Sequence, residues 1–356
     1  MKNVEVETTN KQSWVERRKA LKPKAISVTY AEVVKTDRLP GDQLLPLVVQ
    51  PKYPGVSLTE WAKKNKEVID RELLSSGGIL FRGFDVSNPD ALEAFLAAVE
   101  LPRMYYMEGS TPRTELGKHV YTSTEYPPEH SIALHNELNY VMTWPLRIFF
   151  CCGQASETQG ETPIADVRRV WRWLSEPVRR AFAERGWMLV RNFGDGMGLK
   201  WETSFRVSTP EELEEYCRRS HISYEWKGEG RLRTRQVRPA VRRHPRTGEE
   251  VWFNHVAFWH VSSLPQDVRE MFLKEYGVEG LPYNTYYGDG GVIEDEVVEE
   301  IRQAYDAETV AFRWERGDLL MMDNMLVAHG RRPYTGARKV YVAMGEPHSD
   351  MQPVQD

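Results

Sequence analysis

The spacing of apolar and polar residues changes several times along this chain, and each change marks an element. Ser57-Leu58-Thr59-Glu60 has the pattern of a capping box. Leu58, Trp61, Ala62, Ile69 and Leu73 then supply the apolar face of one helix, which Gly77-Gly78 should end. Ile79 to Phe84 reads as a strand, and Asn88-Pro89 opens a second helix running to about Val99. The unbroken run Ile148-Phe149-Phe150-Cys151-Cys152 predicts a buried strand. Asp166 should cap a helix through Val170 and Trp173, followed by another from Pro177 to Arg185 that Gly186 ends. Trp187 to Arg191 is a strand candidate, and Thr209-Pro210-Glu211-Glu212 starts a charged helix. Leu232 to Arg243 alternates as a strand does, His244 to Gly248 is a hairpin turn, and Val251 to Phe253 is the return strand. Leu264 to Tyr276 and Ile293 to Ala304 have the pattern of outer amphipathic helices. Thr309 to Trp314, Leu319 to Asp323 and Val340 to Met344 return to strands. Residues 41 to 56 are proline-rich and read as irregular, and residues 1 to 24 as a loose polar arm. The pattern predicts a mainly β core with helical insertions. It forms one domain over residues 1–356, with 1–56 as an N-terminal extension.

Composition narrows the class. Of the 356 residues, 41% are hydrophobic and 28% charged, as in a soluble globular protein. The formal net charge of −5 gives no electrostatic reason to expect nucleic acid. Arg231, Arg233, Arg235, Arg238, Arg242 and Arg243 alternate like a solvated strand face, with docking of an acidic carrier protein as the second reading. Cys151, Cys152 and Cys217 are the only cysteines and read as core thiols in a reducing compartment. No apolar run approaches the ~18 residues of a membrane span, and the acidic start shows no signal peptide. A cytoplasmic protein is expected.

The candidate chemistry lies in two fragments far apart in sequence. Leu134-His135-Asn136-Glu137 places an imidazole and a carboxylate at i and i+2, one face of a strand. Gly317 to Asn324 leads to His329-Gly330-Arg331, which brings a second imidazole. His135, Glu137 and His329 together make the 2-His-1-carboxylate set of non-haem Fe(II) oxygenases, which leaves positions open on an octahedral ion. A zinc hydrolase using the same three residues and a non-catalytic binding protein are the readings from other classes. Asp323 and Asn324 stand close enough in sequence to support the loop or a ligand histidine.

The chain resembles the taurine-dioxygenase-like (TauD/TfdA) branch of the Fe(II)/2-oxoglutarate-dependent dioxygenases. Four segments carry the likeness: Ser131 to Leu138, Gly160-Glu161-Thr162-Pro163-Ile164-Ala165-Asp166, Gly317 to Asn324, and His329 to Met344. His-Asn-Glu, with Cys-Cys and Thr-Pro-Ile-Ala-Asp downstream, is most similar to the syringomycin-type amino-acid β-hydroxylases. The resemblance implies a double-stranded β-helix, the jelly-roll barrel of clavaminate synthase-like proteins. It implies Fe(II) as metal, with 2-oxoglutarate and O2 as co-substrates. By position, Thr162 and Arg338 would hold the 2-oxoglutarate carboxylate. Lys339 is the alternative to Arg338, but a guanidinium fits a carboxylate bidentately. The implied reaction hydroxylates an unactivated C–H of an amino acid or an amino-acid-derived natural-product intermediate, free or carrier-tethered. 2-Oxoglutarate becomes succinate and CO2. Desaturation or cyclisation at the same site stays open, whereas Glu137 argues against halogenation, for which related enzymes replace this carboxylate with a small residue. Asn254, Tyr140 and Arg147 are the candidate substrate contacts. His255 and His260 are not expected to bind the metal, and His119, His130, His221, His244 and His348 read as surface residues.

Overall fold

A computed structural model describes residues 33–349, except 41–42, 105–107, 109–113, 118–119, 124–125, 195, 197 and 229. The loose arm expected over residues 1 to 24 and His119 lie outside the described residues. Two sheets carry the core. The larger has eight strands, in spatial order Val34–Leu39, Gln43–Pro51, Gly78–Phe81, Leu319–Asp323, Trp144–Gln154, Lys339–His348, Val120–Thr122 and Glu115–Gly117. The smaller has four: Thr309–Val310, Ile164–Asp166, Val327–Arg331 and Ile132–His135.

The strand Trp144–Gln154 shows why the larger sheet lies at the centre. Its side chains alternate between two apolar layers. Ile148, Phe150 and Cys152 face inward and share a core with Ile164, Ala165 and Ala328 of the smaller sheet. Phe149 and Cys151 face outward, onto the helices Leu58–Lys64, Lys66–Ser76 and Pro89–Ala98. There Phe149, Phe95 and Phe81 form a chain of rings with centroids 6.2 and 5.8 Å apart. Full burial stabilises each such side chain by roughly 1.5–3 kcal/mol. All three cysteines are free and buried, and burial pushes the Cys151 and Cys152 thiols up to about 12.

Most expected elements form, with local corrections. The helix expected from Leu58 is two helices, broken at Asn65 (φ −128°), whose Nδ2 donates to the Trp61 carbonyl at 2.7 Å. Gly77 ends the second in the left-handed conformation (φ +79°), as the sequence predicts. Residues 41–56 are not irregular, because Gln43–Pro51 is an interior strand of the larger sheet. Its register jumps from Leu47↔Arg38 to Gln43↔Leu39, so Pro46 falls in the bulge, where no ladder N–H is needed. Only Thr309–Val310 of the strand expected to reach Trp314 pairs with a neighbour.

The insertion between core strands is also not purely helical. It holds a second four-stranded sheet, Ile222–Trp226, Leu232–Arg238, Trp187–Phe193 and Tyr283–Tyr287. This sheet overturns the solvated reading of the arginine stretch. Arg233, Arg238 and Arg242 are buried. Arg233 pairs with Glu279 at 2.6 Å, Arg238 donates to the Tyr140 and Ser220 carbonyls at 2.9 Å, and Arg242 stands 4.4 Å from the Trp144 ring centre. Alternation reported two packed faces, with Arg233 and Arg238 satisfied by internal hydrogen bonds and Arg242 held against an aromatic ring. Of the six, Arg231 and Arg243 are exposed.

His244 is likewise no surface residue. It is buried, with Nε2 3.0 Å from Asp323 Oδ2, and its Nδ1 accepts from the Arg246 and Thr247 amides, which pins the hairpin turn. His130 and His221 are exposed and His348 half-buried. Among the described residues no helix is long and apolar enough to cross a membrane.

His260 yields a test of acid stability. Its Nδ1 accepts from the Ser262 amide at 3.2 Å, and burial holds its pKa at about 4. The unfolded chain protonates this ring near pH 6.5 and the folded one only near 4, so stability falls as pH drops through that window. The loss is expected to reach about 3 kcal/mol. Urea unfolding of His260→Asn between pH 7 and 4 should give a visibly flatter profile. An identical slope in wild type and variant would contradict it.

Candidate metal centre

Tertiary pairing brings the two distant fragments together. His329 lies in the middle of Val327–Arg331, directly opposite His135 at the end of Ile132–His135. Side chains of directly opposed strand residues are neighbours, and the two imidazole centroids are 4.5 Å apart. A register shift follows between His329 and Arg331. Gly330 permits it, since a Cβ there would come 2.5 Å from the Ile132 carbonyl oxygen.

Glu137 reaches the site by a route the sequence did not indicate. The strand stops at His135, and Glu137 sits in the following turn rather than two residues along the same face. Leu138 takes the left-handed conformation there (φ +56°). Asn324 holds this turn in place. Its Oδ1 accepts from the Glu137 amide at 2.8 Å, and its Nδ2 donates to the Glu137 and Pro145 carbonyls, both at 2.9 Å. In return Asn136 Nδ2 donates to the Asn324 carbonyl at 2.7 Å. The supporting role expected for Asp323 and Asn324 is therefore divided. Asn324 clamps the carboxylate's turn, while Asp323 caps the amides of Met325 and Leu326 and holds His244.

The three side chains suit a divalent metal. One donor atom from each of His135, Glu137 and His329 lies within 4.8 Å of the others, with Glu137 Oε2 3.7 Å from His329 Nε2. His135 Nδ1 lies 2.9 Å from the Ala133 carbonyl, which fixes the tautomer that leaves Nε2 available for coordination. His329 Nδ1 is buried without a hydrogen-bond partner. The Phe150 ring lies 4.9 Å from the His329 imidazole and the Phe258 ring 4.9 Å from that of His135.

Thr162 and Arg338 converge on the same pocket, which His135, Phe150 and His329 also line. Arg338 Nη2 is 3.4 Å from Thr162 Oγ1, and its Nε donates to the Gly160 carbonyl at 2.9 Å. Trp314 Nε1 donates to Thr162 from behind at 3.2 Å. Burial, with Arg331 nearby, lowers the Arg338 guanidinium to about 10. Among the described residues no carboxylate forms an ion pair with it, though Glu161 is near, and an anionic ligand would compensate the buried charge. Lys339 is exposed on the opposite side of the strand.

The other candidates fare differently. Asn254 spends its amide on the Ala240 carbonyl and the Val256 amide, so its assignment to substrate is corrected to a structural turn. Arg147 pairs with Asp70 at 2.9 Å and Glu346 at 2.7 Å and lines a different pocket, so it too is structural. Tyr140 is buried, its hydroxyl donating to the Glu108 carbonyl at 2.7 Å, and its ring lies 5.5 Å from His255. His255, not expected to bind the metal, lies outside the ligand cluster, with its ring 5.4 Å from His135. Burial, with His135 beside it, holds His255 well below the usual histidine range. Neither the short helix Val256–Trp259 nor its aromatic residues stood out in the sequence.

Comparison with known proteins decides the family. The model of the Taurine catabolism dioxygenase TauD, TfdA family matches residues 40–344. The chain belongs to this family. As a TauD, TfdA protein it is an Fe(II)/2-oxoglutarate-dependent dioxygenase, and neither the zinc-hydrolase nor the binding-protein reading is favoured. The dapdiamide synthesis protein DdaC of Enterobacter agglomerans is 39% identical over 279 residues, covering 78% of this chain and 85% of that protein. A clavaminate synthase-like protein of Arabidopsis thaliana is 28% identical over 320 residues, covering 84% and 93%. Among solved structures, PvcB of Pseudomonas aeruginosa matches with a TM-score of 0.52 at 15% identity, covering 88% of this chain and 91% of that one. The family has the double-stranded β-helix, as the resemblance implied.

Proposed function

We propose that this dioxygenase hydroxylates an unactivated C–H of an amino acid or an amino-acid-derived intermediate in natural-product biosynthesis. The observation that carries the reading is the clustering of His135, Glu137 and His329 beside the Arg338–Thr162 pair in one pocket. The likeness to a dapdiamide synthesis protein supports the substrate class. His135, Glu137 and His329 hold Fe(II), and Arg338 with Thr162 holds the distal carboxylate of 2-oxoglutarate. When bound, iron with 2-oxoglutarate and O2 supplies the oxidising chemistry, and 2-oxoglutarate leaves as succinate and CO2. The protein's part is placement. Asn324 presents Glu137, the His135–His329 pairing fixes two donors, and buried Phe150 packs against the His329 ring. A substrate tethered to an acidic carrier ranks second, because three of the six arginines that suggested docking are buried. Free, buried cysteines support a cytoplasmic setting.

Anaerobic titration with Fe(II) and 2-oxoglutarate tests this reading. A weak visible iron-to-keto-acid absorption is expected in wild type and absent in His135→Ala. Arg338→Ala should raise the 2-oxoglutarate KM about 10- to 100-fold, as loss of a charged hydrogen-bonding partner does. Arg338→Lys should recover part of this. No absorption in wild type, with Fe(II) unbound, would sink the proposal.

A further inference from the structure

Beside His135, and outside the pocket that Arg338 lines, an aromatic cluster holds one polar side chain that the three-residue donor set does not use. His255 is 4% exposed; the Asn136 backbone interacts with its ring, and among the described residues neither ring nitrogen has a partner in full hydrogen-bond geometry. A buried imidazole left with an incompletely satisfied nitrogen is costly unless a ligand completes it. Its neighbours are rings, with Trp259 at 4.4 Å, Phe258 at 5.0 Å and Tyr140 at 5.5 Å, centroid to centroid. The Tyr140 hydroxyl is already committed to the Glu108 carbonyl, so it does not serve His255. Phe258 and Trp259 are only partly buried, which leaves this cluster approachable from solvent, whereas His255 lies deeper, against His135.

The chemistry of the cluster favours one kind of ligand. Aromatic faces attract cations, and a neutral imidazole offers one acceptor nitrogen. The guanidinium groups that suit carboxylates, Arg331 and Arg338, line the co-substrate pocket instead. We propose that His255 accepts a hydrogen bond from a primary ammonium group of the substrate, held beside Phe258 and Trp259, so that a carbon near that nitrogen faces the metal. This rests on the proposed function and narrows it to substrates with a free amino group.

The experiment uses the full chain loaded with Fe(II) and 2-oxoglutarate. The anaerobic absorption is recorded first, so failure of the iron site is seen separately. Succinate release is then measured with the proteinogenic L-amino acids, their C-terminal amides, and the deaminated acids of the same skeletons. At least one amino acid or amide is expected to stimulate release, with its deaminated counterpart at least about 10-fold weaker in kcat/KM. His255→Leu should raise the KM for the active compound about 10- to 100-fold while keeping the anaerobic absorption and a melting temperature no lower than that of wild type. His255→Gln, which keeps an acceptor, should recover much of the loss. Equal activity of deaminated acids, an unchanged KM in His255→Leu, or a normal absorption with no release from any amino compound would each overturn the inference.

Discussion

Alanine at His329 is expected to abolish the anaerobic iron–2-oxoglutarate absorption and to lower succinate release at least about 10^3-fold. Partners that merely support a metal ligand cost about 10- to 100-fold when lost, and loss of a ligand itself should exceed that. The position amplifies the effect. His329 is 3% exposed, in the central strand of its sheet, paired with His135 on one side and with Ile164 on the other. No other histidine or carboxylate among the described residues joins the cluster, so none stands ready as a replacement. Melting temperature and far-UV circular dichroism separate loss of metal from loss of fold. A His329→Ala protein that still shows the absorption would remove this residue from the ligand set.

Asn324→Ala is the second large effect, and it strikes the fold and the site together. The side chain makes three hydrogen bonds, to the Glu137 amide, the Glu137 carbonyl and the Pro145 carbonyl, and it is fully buried. Truncation leaves three backbone groups without partners at about 1–3 kcal/mol each. The expected destabilisation is therefore roughly 3–6 kcal/mol, discounted for partial relaxation. Glu137 should also lose its fixed approach, with Fe(II) affinity falling about 10- to 100-fold as for other supporting partners. Urea unfolding and Fe(II) titration measure the two losses separately. Unchanged stability and unchanged affinity would show that the Asn136-Glu137 turn holds itself.

Local chemistry was legible wherever neighbours in sequence are also neighbours in space. At the expected capping box Ser57 accepts from the Glu60 amide, and the charged helix expected from Thr209 opens on a full box, Thr209 accepting from the Glu212 amide and Glu212 from the Thr209 amide. Asp166 caps its helix, and Asn88 with Pro89 opens another. The continuous apolar run at Ile148–Cys152 is a strand packed on both faces. Periodicity was least informative where a polar residue is buried against a distant partner. Arg238 looked solvent-facing because alternation cannot distinguish water from the Tyr140 and Ser220 carbonyls. His244 looked exposed because its partner, Asp323, is far along the chain.

By itself the sequence determined the chemical inventory of this dioxygenase. It contained two imidazoles and a carboxylate of the right types, a threonine and an arginine for an anionic co-substrate, and the local turns and caps that delimit most elements. These follow from side-chain chemistry and from short-range backbone preferences, which the chain carries in any conformation. Only the tertiary structure decided that His329 stands opposite His135, that Asn324 delivers Glu137 from a turn rather than a strand face, and that His255 looks onto the metal centre. Each depends on strand register and long-range closure, in which a one-residue slip would turn His329 to the other face.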